Sequence, residues 1–150
     1  MSSITYYLEN KLIDQLFRGQ AYTFTFPTTL YVSLFTTAPT ALGTDGVEVP
    51  TANTGYARVA VPASLTEWSG TQGANSNTVS TGTSGTTNNN VQITFNTPTG
   101  NWGSIVAQGI WDASTGGNLL IFDTLTTAKT VNNGDPAPYF PVGGLSTTIS

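Results

Sequence analysis

The chain has no cysteine and no histidine. Without cysteine there is no disulfide, no thiol nucleophile and no thiolate-bound metal. Without histidine the commonest acid–base group and the commonest metal ligand are missing, and a Ser–His catalytic pair is excluded. Charge is scarce as well: Asp, Glu, Lys and Arg make up 8% of the 150 residues, against about 25% in an ordinary soluble domain. The four cations, Lys11, Arg18, Arg58 and Lys129, are scattered, and the net charge is −4. No basic patch exists to neutralise phosphates or to hold an anionic membrane surface, so neither nucleic acid nor membrane is an expected partner. No apolar run is long enough to span a bilayer, and the N-terminus lacks the basic-then-apolar pattern of a secretory signal. Synthesis and first folding in a cytoplasm are expected.

Thr, Ser, Asn and Gly take the place of charge, while aromatics reach 11%. Disordered chains are usually rich in charge and poor in aromatics, so this chain is expected to fold. Its length suits one domain, 1–150, that buries about 70% of its unfolded surface.

The first segment reads as a helix over 3–18. Ile4, Leu8, Leu12 and Leu16 recur every four residues, and Ile13 and Phe17 widen the stripe. Ser2 or Ser3 is the expected N-cap and Gly19 the residue that ends the helix. Everything beyond it reads as strand and turn. Tyr22, Phe24 and Phe26 alternate with threonines as one face of a strand ended by Pro27. Leu30 to Phe35 is apolar enough to be covered on both faces, 39–53 reads as a connecting loop, and Tyr56 to Val61 as a strand. Val91, Ile93 and Phe95 alternate as a half-buried strand. Ile105 to Asp112 and Leu119 to Leu125 flank a Gly116-Gly117 turn, which predicts a hairpin. Asn132 to Asp135 is a further turn and Leu145 to Ile149 a last strand. The fold class is all-β, an antiparallel β-sandwich or barrel, with one N-terminal α-helix.

Residues 70–90 differ in kind. This Gly/Ser/Thr/Asn-rich stretch has Val79 as its only sizeable apolar side chain and cannot offset an ordering cost of about 1–2 kcal/mol per residue. It reads as a flexible flap within the domain, longer than the usual structureless loop.

Catalytic chemistry finds little support. Lys11 and Lys129 read as solvated surface lysines rather than desolvated catalytic ones. The carboxylates outside the helix, Asp45, Glu48, Glu67, Asp112, Asp123 and Asp135, share no motif of a glycosidase pair. Asp112 with Asp123, on facing strands, is the pair least easily set aside. Asp45 and Glu48 could offer oxygen ligands to calcium but lack the spaced acidic pattern of an EF-hand. No catalytic residue, metal or cofactor is expected. Trp68, Trp102 and Trp111, with the aromatics of 22–26, read as core or subunit contact rather than a sugar platform. Gly103 and Gly109 beside tryptophans suggest close packing.

Several stretches carry a resemblance: ITYYLENKLIDQLFRGQAYTF, LYVSLFTTAPT, GYARVAV and VQITFNTPTGNWGSIVAQGIWDASTGGNLLIFDTLTTAKTVNNGD. Together they resemble a family of small tailed-bacteriophage virion structural proteins, described as tail-fibre-like or Gp80-like. Some proteins of this size and kind act as head decoration, or cement, proteins. The resemblance brings no catalytic residues, and the 70–90 flap is longer than the corresponding family segment. It implies a non-enzymatic virion component, assembled in the host cytoplasm. The first expectation is a capsid decoration protein that stabilises the head lattice, with the major capsid protein and further copies of itself as partners. The alternative is a tail fibre or baseplate component that binds a host receptor; a tail-associated polysaccharide hydrolase is a distant third. Candidate partner or subunit contacts are Tyr6, Tyr7, Tyr22, Phe24, Phe26, Asn75, Val79 and Asn89.

Overall fold

A computed structural model describes residues 3–20 and 24–149. Among them lie ten strands and one helix. These are β1 (Ser3–Ile4), α1 (Tyr6–Phe17), β2 (Thr29–Thr37), β3 (Val47–Glu48), β4 (Val59–Pro62), β5 (Thr86–Asn88), β6 (Ile93–Thr94), β7 (Gly103–Trp111), β8 (Leu119–Val131), β9 (Tyr139–Phe140) and β10 (Ser146–Thr148). The fold is all-β, antiparallel throughout, with the helix at its N-terminal end.

The six-stranded sheet has the order β1-β8-β7-β2-β3, and β4 also pairs with β2. The expected hairpin is its centre: β7 and β8 run antiparallel from Gly103↔Val131 to Trp111↔Leu119, joined by a turn whose Gly116 and Gly117 have φ of +59° and +70°. On its other side β7 pairs with β2, Tyr31 opposite Trp111 and Phe35 opposite Ala107. At Gly109 the sheet has no room for a side chain, because a Cβ there would stand 2.7 Å from Leu119 Cδ1 and Phe35 Cε2.

Alternation along β2 sends Val32 and Leu34 to one face and Ser33 and Phe35 to the other. All four are buried, as its unbroken apolar run implied. On the first face Val32, Leu34, Ile105 and Ile110 pack with Ile93, Phe95, Tyr56, Trp102 and Leu145. The ribbons β6–β9 and β5–β10 bring Ile93, Phe140 and Leu145 to this face, giving a sandwich-like second layer. Phe35, Ala107, Leu119 and Phe122 form a smaller core on the other face. A third, Leu8, Phe24 and Leu120, lies under α1.

Several boundaries move from those the sequence suggests. The helix begins at Tyr6, because Ser3 and Ile4 extend and pair with Phe122 and Ile121 at the sheet edge. Thr5, not a serine, is the N-cap; it is fully buried, and its hydroxyl donates to Leu119 O at 2.6 Å. Gly19 does end the helix, at φ +66°. Of the expected stripe only Leu8 is buried. The strand expected over 22–26 is not formed at Phe24 or Phe26, and Tyr22 lies outside the described residues. The strand expected over 56–61 shortens to β4, because Tyr56 turns inward, and the loop 39–53 contains β3.

The 70–90 segment is more structured at its end than its composition suggests. Residues 86–88 form β5 against β10. Asn89, expected as a surface contact, is fully buried. Its side-chain amide donates to Val91 O and Pro141 O, both at 2.8 Å, and its Oδ1 accepts from Leu145 N at 2.8 Å. One polar side chain thereby fixes the C-terminal segment to the base of the flap. Earlier in the segment Gln72 Nε2 donates to Thr78 Oγ1 at 2.9 Å, and Gly82 N donates to Thr71 Oγ1 at 3.0 Å.

Asn89→Ala leaves the buried Leu145 N–H and the Val91 carbonyl without this partner and takes one of two donors from the Pro141 carbonyl, which keeps the Gly144 N–H. It is expected to destabilise the protein by about 3 kcal/mol, read as a lower urea midpoint with an unchanged slope.

Candidate functional site

Four of the carboxylates that could have carried chemistry, Asp45, Glu48, Asp112 and Asp135, hold turns and strands together. Asp112 Oδ1 accepts from Asn118 N at 2.7 Å and its Oδ2 from Asn118 Nδ2 at 2.8 Å, which closes the β7–β8 turn. Asp123 stands opposite Gln108, so the two aspartates do not form the facing pair that the hairpin suggested. Asp135 Oδ2 accepts from Asn132 N at 2.7 Å within the expected turn. Asp45 accepts from Thr40 N at 2.9 Å and from Thr40 Oγ1 at 2.6 Å. The Thr40 side-chain bond, then its backbone bond, holds the Asp45 carboxyl below its ordinary value.

Glu48 belongs to the most connected polar cluster. Arg58 Nε donates to Glu48 Oε1 at 2.9 Å and Nη2 to Oε2 at 2.8 Å, a bidentate pair. Arg58 Nη1 donates to Ala113 O and Gly116 O, both at 2.8 Å. The guanidinium lies 3.6 Å from the Trp111 ring centre. Glu48 Oε1 also accepts from the Tyr56 hydroxyl at 2.9 Å, and the Tyr56 hydroxyl oxygen in turn accepts from Leu34 N at 2.9 Å. Burial, reinforced by the Glu48 charge, pushes the Tyr56 phenol far above its usual range, so it stays protonated and donating. With four of the five Arg58 donors used and both Glu48 oxygens occupied, the cluster is architectural. Among the described residues no group of three or more acidic side chains could hold a metal ion.

The expected contact residues divide between surface and core. Tyr6, Phe26 and Val79 are exposed, as is Asn75, whose φ is +62°. Phe24 is buried; it meets Tyr7 edge-on at 6.3 Å and Phe26 at 4.9 Å. Asn89 is the buried pin described above. Tyr7, Phe24 and Phe26 are thus brought together beside α1, while Asn75 and Val79 lie on the 70–84 loop.

Two surface features extend beyond that set. Leu12, Ile13, Leu16 and Phe17 form an exposed apolar stripe along α1. An almost wholly apolar groove of about 310 Å3 lies between Leu8, Phe24, Phe26, Trp68, Ile110 and Ile149. The stripe is visible in the sequence as an apolar arc too wide for one buried face. Trp68 and Ile149 carry no local signal, since only the tertiary fold places them beside the helix.

A β-sheet body with Asp45, Asp112 and Asp135 bonded into its own turns, and with apolar and hydroxyl-rich surfaces left open, fits the outline of a virion structural protein. Residues 3–148 match the family described as podophage GP4 fiber I protein gp80, and the chain belongs to that family. No curated protein matches it. The family is described as one of fibre proteins, which backs the alternative of a tail fibre or baseplate component better than the expectation of a capsid decoration protein.

Arg58→Ala leaves the Glu48 carboxylate and two carbonyls without their partner. It is expected to cost about 3 kcal/mol, with Arg58→Lys recovering only part of that because an ammonium cannot reproduce the fork. Thermal and urea unfolding measure both. A carboxyl-detected NMR titration should place the Asp45 midpoint below the ordinary carboxylate range, and Thr40→Val should move it up. The lowered value also fixes a sign: this group's stabilisation is present above the ordinary carboxylate range and fades as pH falls through the lowered midpoint.

Proposed function

We propose that the protein is a non-enzymatic subunit of a phage tail fibre that contributes to contact with the host surface. The match to a fibre family over residues 3–148 carries this reading. The turn-holding roles of Asp45, Asp112 and Asp135 support it, because these three acidic groups are taken up by structural bonds. On this reading the chain resides in the virion, and its neighbours are fibre and tail subunits rather than the major capsid protein.

The 70–84 loop is the surface we assign to host contact. It is long, uncharged and rich in hydroxyl and amide groups, and Val79 stands out from it exposed. Such a surface offers many neutral donors and acceptors and no field to select a charged ligand. A neutral surface glycan, recognised by hydrogen bonds to its hydroxyls, fits this chemistry.

Immunogold labelling of intact virions should mark the tail sparsely; dense labelling over the head at lattice copy number would sink the reading. Purified protein should compete with phage for adsorption to host cells. Replacing residues 74–80 by a Gly-Ser linker should remove that competition while shifting the unfolding midpoint little, since the replaced side chains are almost all exposed.

A further inference from the structure

The outward face of α1 is unexplained by the fold. The helix docks through Leu8, while Leu12, Ile13, Leu16 and Phe17 are 36%, 48%, 75% and 78% exposed. Tyr6 is exposed too, and at about 100° per residue these five lie within one arc of roughly 140°. An amphipathic surface helix turns such an arc inward; here it points away from the body. With Phe26 beside the helix, the exposed apolar side chains amount to on the order of 500 Å2, at the upper end of what monomers carry. A standard interface buries about 800 Å2 per partner, and homodimer interfaces are about 65% apolar. The patch therefore supplies the apolar share of one such interface.

The charges around it indicate what covers it. Glu9, Lys11, Asp14 and Arg18 are the charged residues of this segment, two of each sign, and Arg18 Nη1 already bonds Asp14 Oδ1 at 3.0 Å. A membrane-surface helix carries an excess of Lys and Arg, which is absent here. A charge-balanced apolar surface can face an identical one without net repulsion, as a symmetric contact between like subunits requires. The apolar groove begins at Leu8, at the foot of the same helix, and offers a cavity next to the exposed Leu16 and Phe17 side chains of an incoming copy.

We propose that α1 is the seam through which this chain binds further copies of itself, with Leu12, Ile13, Leu16 and Phe17 at the buried centre. The inference does not depend on the tail-fibre reading, since a subunit of any virion structure could assemble this way.

Sedimentation equilibrium of the full chain, alone, between 1 and 100 µM tests it. The wild type should sediment as a dimer or larger. The double substitution Leu16→Glu, Phe17→Glu should weaken association by on the order of 100-fold or more, with an unchanged far-UV spectrum. Val47→Glu, at an exposed position on β3 at the sheet edge opposite β1, should leave association unchanged. A monomeric wild type at 100 µM, or a double variant that associates within about threefold of wild type, overturns the proposal. Should the double variant misfold, hydrogen exchange of the wild type decides: protection of the α1 amides must rise with protein concentration, and a concentration-independent rate overturns it.

Discussion

The guanidinium of Arg58 is the interaction on which most of this architecture converges. Its carboxylate partner lies on β3, its two carbonyl partners in the β7–β8 turn, and the ring beneath it at the end of β7. Through Glu48 it also orients the Tyr56 hydroxyl, which occupies the N–H of Leu34 at the centre of β2. One side chain joins segments more than 50 residues apart in a chain with only three other cations. Arg58 is nearly buried and Glu48 about a quarter exposed. The pair's desolvation is therefore offset by geometry and by the number of bonds rather than by Coulomb attraction alone.

Scarcity of charge shapes the rest in the same way. Where other proteins use surface ion pairs, this one uses neutral groups bonded to backbone: Thr5 at the helix start, Asn89 beneath the flap, Trp102 Nε1 donating to Thr54 O at 2.8 Å. Such bonds are short-ranged and directional, so they stabilise one arrangement without projecting a field. The outer surface is correspondingly quiet electrostatically. Contact with neighbours or with a host must then come from shape, apolar area and hydrogen bonding.

Much of this was legible in the residues. The β7–β8 hairpin followed from two apolar runs around a Gly-Gly turn, β2 from its unbroken apolar run, and the helix from its four-residue spacing. The candidate surface was legible only in part. Asn75 and Val79 lie exposed as the loop composition suggested, but Asn89 looks identical in sequence to its partly exposed neighbours Asn88 and Asn90 and is the buried pin. Nothing local distinguishes it, because its three partners sit at positions 91, 141 and 145. Asp112 and Asp123 failed as a pair for a related reason: the hairpin register sets Gln108, not Asp112, opposite Asp123.

By itself the sequence determined the class of fold and the kinds of chemistry open to the protein. Local spacing sets which segments extend or coil, and an absent residue type is absent in every conformation. The tertiary structure alone decided which face of α1 is covered. Pairing of Ser3 and Ile4 with β8 fixes the direction in which the helix leaves the sheet edge, and Leu120 and Phe24 leave room to receive Leu8. Periodicity reports that an apolar stripe exists. Which part of it meets the core depends on long-range contacts, and here these leave Ile13, Leu16 and Phe17 outside.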